Sequence, residues 1–211
     1  MSRYWLYFFA ILRARLSRRR IPLFVTLCVT NRCNLRCIYC YEEYYDRNHR
    51  EMSTGEILSL IDQLASMGTR YISINGGEAL LRGDIEEIVA KIRSKNMLCH
   101  ISTNGLLVQE RIPLLKKIDS IAISLDGDQA ANDRNRGAGS HARILAGIQA
   151  LARAGIKFHV HTVLTRNNQD AVEGLLALAR QYGFRVQFSL LRVEDSPRKG
   201  IGLDDQELEA L

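Results

Sequence analysis

Six short segments of the chain alternate apolar with polar residues, which is the period-two pattern of a half-buried β-strand. In the first segment Val25 and Leu27 flank Thr26, so apolar and polar side chains point to opposite faces. The six segments are 24–30, 71–75, 98–103, 120–126, 158–164 and 186–191. Each is predicted to be a strand with one apolar and one polar face.

Helical patterns separate these strands. Ser53 and Glu56 have the spacing of a capping box, apolar residues then recur every three or four positions, and Gly68 follows as a stop signal. Ser140 is predicted to cap another such helix. Further helical patterns begin near residues 85 and 172, and a weaker one at 107–118 contains Pro113. Strands and helices therefore alternate through most of the chain.

This alternation predicts right-handed βαβ units and a parallel sheet. A doubly wound sheet is covered by helices on both faces and has nearly continuous apolar strands, whereas a barrel is covered only on its outside. A closed eight-stranded barrel would fill its interior with apolar layers. We therefore predict an α/β fold of the partial (β/α)6 TIM-like barrel type, with parallel strands, outer helices and an open polar lumen.

The composition fits one globular domain with an attached N-terminal helix. The chain has 211 residues, of which 46% are hydrophobic and 25% are charged, enough for a sizeable core. We expect a basic amphipathic helix at 1–20, a core at 21–203 and the start of a truncated C-terminal helix at 204–211.

The net charge of +6 comes entirely from the N-terminal helix. Removing its six arginines from the 29 basic residues leaves 23, which equals the 23 acidic residues. A balanced core does not favour nucleic-acid binding, so no nucleic acid is expected. The arginines are Arg3, Arg13, Arg15, Arg18, Arg19 and Arg20.

Apolar residues in the same segment recur at helical spacing, namely Trp5, Phe8, Phe9, Leu12 and Leu16. The apolar run is too short to cross a bilayer, which needs about 20 residues. Two interpretations remain open. The helix packs against the core, or it binds the surface of an anionic membrane.

Three of the five cysteines lie within eight residues, at Cys33, Cys37 and Cys40. A structural zinc site normally has four ligands, and no second Cys or His pair follows at the required spacing. Iron–sulfur clusters also normally take four cysteines. Three thiols therefore favour a cluster with one open iron, with zinc or inert thiols as alternatives.

Clustered free thiols without a signal peptide predict a cytoplasmic location, with peripheral contact at the inner membrane face as an added possibility.

The ends of the predicted strands carry further candidate residues, and chemistry in βα barrels gathers at these carboxyl ends. After the second strand, Gly76 and Gly77 would let backbone approach a ligand closely, and Glu78 offers a carboxylate to an amine. The alternative is a glycine turn with a solvated Glu78. Cys28, on the polar face of the first strand, is expected to be a small buried residue rather than a ligand.

At this point the sequence resembles a known family, the radical S-adenosylmethionine (SAM) enzymes. The motifs "CNLRCIYC", "NGGEALL", "STNG" and "SLDG" follow successive strands, within a similarity that spans 22–195. The stretches "DRNRG" and "TRNN" resemble the SPASM-like branch, which modifies peptides or builds cofactors. A C-terminal auxiliary-cluster domain of that branch is not visible in the chain. The family usually has proline where Ala79 stands, which predicts a less rigid loop.

The resemblance implies a role for each motif residue. Cys33, Cys37 and Cys40 would hold a 4Fe–4S cluster, and SAM would bind its fourth iron. Arg134 or Arg136 would meet the SAM carboxylate, and we retain Arg136. The other implied SAM contacts are Tyr39 along the adenine, Gly76, Gly77 and Glu78 at the methionine amino group, and Asn104, Ser124 and Asp126 near the ribose or carboxylate.

The implied reaction is reductive cleavage of SAM to a 5'-deoxyadenosyl radical, which abstracts hydrogen from an unidentified peptide or cofactor or lipid precursor. The electron would come from a reductant such as flavodoxin or ferredoxin.

His159 and His161 face the predicted lumen and are candidate catalytic residues, or hydrogen-bonded lining. Tyr41, Tyr44 and Tyr45 would shield the cluster, contact substrate or simply pack. Two alternatives are a non-catalytic metal-binding or electron-transfer module and a membrane-associated scaffold.

Overall fold

Six parallel strands form one sheet in the order in which they occur along the chain. The computed structural model describes residues 3–17, 20–40, 50–191 and 199–203. The strands are β1 (Phe24–Cys28), β2 (Tyr71–Asn75), β3 (Leu98–Thr103), β4 (Ser120–Ser124), β5 (His159–Leu164) and β6 (Arg185–Leu190). Because β1 and β6 are the edges of the sheet, the predicted open, partial barrel is confirmed.

Seven α-helices lie in the described ranges. They are α1 (Arg3–Ser17), α2 (Thr54–Met67), α3 (Ile85–Ser94), α4 (Ile112–Leu115), α5 (Gln129–Arg136), α6 (Ser140–Arg153) and α7 (Val172–Tyr182). Short 3-10 turns lie at Ala79–Leu81, Gln109–Arg111, Gln169–Ala171 and Lys199–Ile201. The expected helix start at 204–211 and Tyr41, Tyr44 and Tyr45 lie outside the described residues.

The apolar faces of the strands form the core against the outer helices. Ile72 and Ile74 of β2 are fully buried, as are Ile57 of α2 and Ile88 of α3 in the same cluster. Each fully buried side chain of this size contributes about 1.5–3 kcal/mol to folding. The period-two pattern thus identified the face that the helices cover.

Helix ends follow the sequence signals in one case and depart from them in another. At the start of α2 the Ser53–Glu56 capping box is present, and Gly68 ends the helix with φ +103°. The prediction that Ser140 caps α6 is wrong, because Gly139 holds the cap position. The Asp133 carboxylate instead accepts hydrogen bonds from the Gly139 and His141 N–H groups, both at 2.8 Å.

Helix α5 has no hydrophobic periodicity, and the sequence patterns did not predict it. Asp128 begins the helix by accepting a hydrogen bond from the Ala131 N–H at 2.8 Å. Its buried face is mainly polar and includes Asn132, Asn135 and Arg136. A helix of this kind is invisible to a search for apolar repeats.

Helix α1 exposes its apolar stripe. Trp5, Phe8 and Phe9 are 57%, 54% and 49% exposed, and their rings contact one another at centroid distances of 5.8–6.3 Å. Leu12 and Leu16 are exposed as well. In the described residues no helix has the length and apolar character needed to span a bilayer.

Polar side chains line the concave face of the sheet, which we call the lumen. Thr26 and Cys28 of β1 are exposed there, and Ser102 and Ser124 are half-buried. The expected burial of Cys28 is wrong, because β1 is an edge strand of an open sheet and nothing in the described chain covers this position. The polar lumen itself agrees with the prediction from alternation.

Candidate functional site

The loop that follows β1 carries the three clustered cysteines and is hydrogen-bonded to the turn that follows β2. We call residues 29–40 the cysteine loop. Val29 N–H donates to Asn75 O at 2.9 Å, Gly77 N–H to Thr30 O at 2.9 Å, and Glu78 N–H to Arg32 O at 2.8 Å. These bonds continue the pairing of β1 with β2 beyond the ends of the strands, although acceptors two residues apart meet donors on adjacent residues. They fix the backbone that leads into Cys33.

The two glycines of the turn are required by this close approach. A Cβ on Gly77 would overlap the Arg32 carbonyl and lie 3.0 Å from the Cys33 Cβ, and one on Gly76 would lie 2.6 Å from Thr30 O. Any side chain at either position would push the cysteine loop away. The glycines thus accommodate the backbone of the chain itself, a role that the sequence alone did not reveal.

Glu78 is a buried acceptor that connects the turn after β2 to the end of β3. Its side chain is 1% exposed. One carboxylate oxygen accepts from Leu80 N–H at 3.0 Å and from the Thr103 hydroxyl at 2.8 Å, and the other accepts from Asn104 N–H at 2.6 Å. Burial raises the pKa of Glu78, and the three hydrogen bonds, which lower it, offset only part of that rise. A carboxylate has about four acceptor positions, so one is left for a donor from a ligand.

Asn104 joins the turn after β3 to the cysteine loop. Its side-chain amide donates to Asn34 Oδ1 at 2.7 Å and lies 3.9 Å from Cys33 Sγ. The Leu35 N–H lies 3.5 Å from the same sulfur. The predicted residues Cys33, Glu78 and Asn104 therefore come together in one group.

Arg82 and Glu51 support the cysteine loop from outside. The Arg82 guanidinium donates to Val29 O at 2.6 Å and to Met52 O at 2.9 Å, and pairs with Asp84 at 2.6 and 2.9 Å. Glu51 accepts from the Thr30 hydroxyl at 2.6 Å. Sequence reasoning missed both residues, since nothing in their local pattern distinguishes them from surface charges.

The three loop thiols are half-buried and influence one another electrostatically. Burial raises the pKa of Cys33 and raises that of Cys37 to about 11. Thiolates at these positions therefore need a cation to hold them at neutral pH. In the described residues no three His, Cys, Asp or Glu side chains are grouped to bind one metal ion. The thiols of an iron–sulfur cluster bind separate irons, so three neighbouring but separated thiols fit such a cluster.

Tyr39, Asp126 and Arg136 form a second buried group behind the loop. The Tyr39 hydroxyl donates to Asp126 Oδ2 at 2.6 Å, and Arg136 Nη2 donates to Asp126 Oδ1 at 2.9 Å. The guanidinium also lies 5.5 Å from the centroid of the Tyr39 ring. Burial raises the pKa of Tyr39 well above its usual value, so the phenol stays protonated and remains a donor.

Ser124 and the two predicted histidines lie on the lumen face. Ser124 is in register with His161, and His161 Nε2 lies 2.8 Å from the Ser189 hydroxyl. Burial lowers the pKa of both His159 and His161, and for His161 the Arg136 charge lowers it further. Both imidazoles are therefore neutral at pH 7. In the described residues no side-chain hydrogen bond joins either of them to the groups around Cys33 or Asp126, although the charges of Arg136 and Asp126 act on His161.

A row of rings crosses the lumen near the amino ends of the strands, and we call it the floor. Neighbouring centroids are 4.8 Å apart for Phe24 and Tyr71, 6.3 Å for Tyr71 and His100, and 5.8 Å for His100 and His159. The intervening strand β4 pairs Ser120 with His100 and the small Ala122 with His159. The pKa of His100 is lowered to about 4, mainly by burial and to a smaller extent by the nearby His159. His100 was missed, although the period-two pattern already put it on the polar face.

A family profile described as the radical SAM superfamily matches residues 27–179, which are most of the chain. The chain belongs to the radical SAM superfamily. Members of this superfamily use a 4Fe–4S cluster together with SAM, which agrees with the donor set of the cysteine loop. The resemblance inferred from the motifs is confirmed.

Two curated radical SAM relatives are similar over most of the chain. It is 34% identical over 176 residues to "Mycofactocin maturase MftC" of Mycolicibacterium smegmatis, a match that covers 81% of this chain and 45% of the relative. It is 35% identical over 158 residues to "Fe-coproporphyrin III synthase" of Methanosarcina barkeri, covering 72% of this chain and 40% of the relative. The chain therefore spans less than half the length of these two relatives.

Solved radical SAM structures share the fold. SuiB of Streptococcus suis bound to S-adenosylmethionine superposes with a TM-score of 0.78 at 20% identity, covering 93% of this chain and 48% of SuiB. SuiB bound to precursor peptide SuiA superposes with a TM-score of 0.72 at 19% identity, covering 85% and 42%. At these identities the likeness establishes the fold alone.

Proposed function

We propose that this chain is the catalytic core of a radical SAM enzyme in which Cys33, Cys37 and Cys40 hold a 4Fe–4S cluster. The observation that carries the proposal is the set of three half-buried thiols on one loop, hydrogen-bonded to the Gly76–Gly77 turn. When bound, the cluster supplies one electron that cleaves SAM to methionine and a 5'-deoxyadenosyl radical, and that radical takes a hydrogen atom from substrate. A small electron carrier such as flavodoxin or ferredoxin would deliver the electron.

The SAM contacts in this proposal come from the loops beside the cysteines. Glu78 has one remaining acceptor position for the methionine amino group. Asn104 and Ser124, at the ends of β3 and β4, would face the ribose or carboxylate. The ring of Tyr39 would lie along the adenine, and Arg136 would meet the carboxylate through donors that its bond to Asp126 leaves free.

The substrate would enter the lumen, and its chemistry would be polar and mostly uncharged. On the strand segments described, the lumen face carries no carboxylate, and Arg185 of the edge strand β6 is its one formal charge. Neutral His159 and His161 can accept and donate hydrogen bonds there. The similarity to SuiB, which was solved bound to precursor peptide SuiA, favours a peptide, and the similarity to the Fe-coproporphyrin III synthase favours a cofactor precursor. Both fit the predicted SPASM-like branch.

The proposal is tested by anaerobic reconstitution with iron and sulfide. The protein should hold about four irons per chain and, once reduced, convert SAM to 5'-deoxyadenosine. Cys37→Ala should lose the bound iron, whereas Cys28→Ala, which removes an exposed lumen thiol outside the loop, should keep it. Glu78→Gln should keep iron and bind SAM more weakly. An intact, reducible cluster that never cleaves SAM would instead identify an electron-transfer module.

A second proposal concerns α1, which we propose to lie on an anionic membrane surface. Its Trp5, Phe8 and Phe9 rings are half-exposed, and residues 1–20 carry six arginines with no acidic residue. This combination of apolar rings and positive charge suits the headgroup region of the inner membrane face.

Flotation with liposomes tests this membrane contact. The protein should float with vesicles that contain anionic lipid and not with purely zwitterionic ones. The variant carrying Phe8→Ser and Phe9→Ser should lose flotation, whereas Leu190→Ser, an equally exposed apolar residue on β6, should retain it. Equal flotation of all three proteins would overturn the proposal.

A further inference from the structure

We propose that Tyr39, Asp126 and Arg136 form a buried clasp that positions the cysteine loop and keeps a positive charge beside Cys37. The inference rests on the proposed function, since the loop is assigned there to the cluster. It differs from the role implied by resemblance in one respect. Asp126 acts through Tyr39 and Arg136 and is a positioning residue rather than a ligand of SAM.

The clasp joins the loop to Asp126, which follows β4, and to helix α5. The Tyr39 hydroxyl reaches Asp126 Oδ2 at 2.6 Å, and the Ile38 N–H donates to Asn135 O of α5 at 2.9 Å. Both residues lie between Cys37 and Cys40. The last turn of the cysteine loop is therefore held by a side-chain contact to the segment after β4 and by a backbone contact to α5.

Asp126 has no acceptor position left for a ligand. Its Oδ2 accepts from Tyr39 and, at 3.5 Å, from the Asn135 amide. Its Oδ1 accepts from Arg136 at 2.9 Å and from Val163 N–H at 3.4 Å. The side chain is fully buried. A SAM hydroxyl could bind only by displacing one of these donors, which would leave that donor buried without a partner.

Arg136 contributes a positive charge as well as its hydrogen bond to Asp126. Its side chain is 5% exposed, and its Nε is buried without a hydrogen-bond partner among the described residues. The guanidinium lies 5.5 Å from the centroid of the Tyr39 ring, and Tyr39 is two positions after Cys37, so the positive charge lies beside the last turn of the cysteine loop. A cluster held by three thiolates becomes more negative on reduction, so Arg136 should favour the reduced state and Asp126 should disfavour it.

The test compares single-atom and single-charge variants in the reconstituted full chain. Tyr39→Phe removes only the hydroxyl, Asp126→Asn removes the negative charge, and Arg136→Gln removes the positive charge. Three quantities are measured: iron loss to a chelator over time, the cluster midpoint potential from a redox titration followed by electron paramagnetic resonance, and SAM affinity by equilibrium dialysis.

The clasp predicts a distinct result for each variant. Tyr39→Phe should lose iron several-fold faster with a potential close to that of the wild type. Asp126→Asn should shift the potential upward and Arg136→Gln should shift it downward. Arg136→Lys should restore the potential but not the slow loss of iron, because lysine carries the charge without the planar fork.

A matched control is the second buried Arg–Asp pair, Arg82–Asp84. Asp84→Asn should lower the melting temperature as Asp126→Asn does, yet leave the midpoint potential at the wild-type value. If Asp126→Asn does not fold, Tyr39→Phe carries the test alone.

Two outcomes would overturn the inference. One is wild-type iron retention and potential in Asp126→Asn together with lost SAM affinity, which would make Asp126 a direct SAM ligand. The other is a fall in melting temperature alone, which would make the clasp merely structural. A wild-type protein that binds no cluster at all would refute the proposed function instead, so the two failures are distinguishable.

Discussion

The rim and the floor of the lumen are formed by the same strands, but different interactions hold them. At the rim, which comprises the loops after β1 to β4, charged and polar groups such as Glu78, Arg82 and Asp126 are buried and hydrogen-bonded across loops. At the floor, Phe24, Tyr71, His100 and His159 meet through ring faces. The rim thus depends on directional hydrogen bonds and ion pairs, and the floor depends on stacked rings.

This difference predicts how well each region tolerates amino-acid substitutions. A buried charged group that loses its partner costs the full desolvation penalty of that group, whereas a ring contact contributes about 0.5–1.5 kcal/mol beyond area burial. The part of the protein proposed to hold the cofactor should therefore be rigid, and substitutions there should be strongly destabilising. The part proposed to meet substrate should accept substitution at small cost.

The largest effect on stability is expected for Arg82→Met at the rim. The variant leaves Asp84 without its partner and Val29 O and Met52 O without a donor, which should lower the free energy of unfolding by about 3–5 kcal/mol. Urea denaturation followed by circular dichroism measures it. The control Arg50→Met removes an exposed pair with Glu56 and should cost under about 1 kcal/mol. Equal costs would contradict the distinction between rim and surface.

A smaller rim effect is expected for Gly77→Ala. The new Cβ would overlap the Arg32 carbonyl, and overpacking of this kind costs about 1–3 kcal/mol. Gly83→Ala is the matched control, because a Cβ there meets nothing within 4 Å and should change stability by less than about 0.5 kcal/mol. Thermal unfolding of both variants compares them. A Gly77→Ala protein as stable as the control would show that the cysteine loop can move.

At the floor, acid should destabilise the protein through His100. Its pKa is about 4 in the folded chain and 6.5 in the reference state. The unfolded chain binds the proton more readily, so stability is fully present above about pH 6.5 and is lost as the pH falls toward 4. We expect this loss to be about 1–2 kcal/mol, reduced from the full linkage value because His100 keeps some contact with solvent.

The variant His100→Phe keeps a ring at this position and removes the titration. Urea unfolding at about pH 7 and about pH 4.5 should show a steeper loss for the wild type than for the variant. Identical losses would mean that His100 does not titrate as its surroundings indicate. The remaining acid sensitivity of both proteins would come from His159 and the carboxylates.

The smallest effect is expected for Phe24→Ser at the end of the ring row. Phe24 is 54% exposed and stacks only on Tyr71 at 4.8 Å among the floor rings. The change should cost about 0.5–1 kcal/mol more than Leu190→Ser, which removes an apolar side chain of equal exposure without a ring contact. A cost close to that of Arg82→Met would remove the contrast between floor and rim.

The sequence was informative wherever an element has a repeating or local signature. Alternation in segments such as 71–75 identified the strands and their lumen face, and the Ser53–Glu56 spacing identified the start of α2. The motif residues Cys33, Glu78 and Asn104 could be placed together because parallel strands end at one edge of the sheet. These features depend on neighbours in the chain or on topology alone.

The remaining features depend on contacts between distant residues. Helix α5 has a polar buried face, so apolar periodicity could not reveal it. The bonds of Asp126 come from Tyr39, Arg136 and Val163, the first of them 87 positions away along the chain, and no local pattern predicts such a network. The expected burial of Cys28 was wrong for a similar reason, since burial on an edge strand depends on what lies beyond it.

The extended ladder between the cysteine loop and the Gly76–Gly77 turn limits how the chain can vary in length. Because Val29 N–H, Thr30 O and Arg32 O are bonded to Asn75, Gly77 and Glu78, inserting or deleting one residue between Cys28 and Cys33 would shift the loop against these fixed partners. Such a change would turn the first cysteine away from Asn104. Changes in length among homologous chains should therefore be absent from this short stretch.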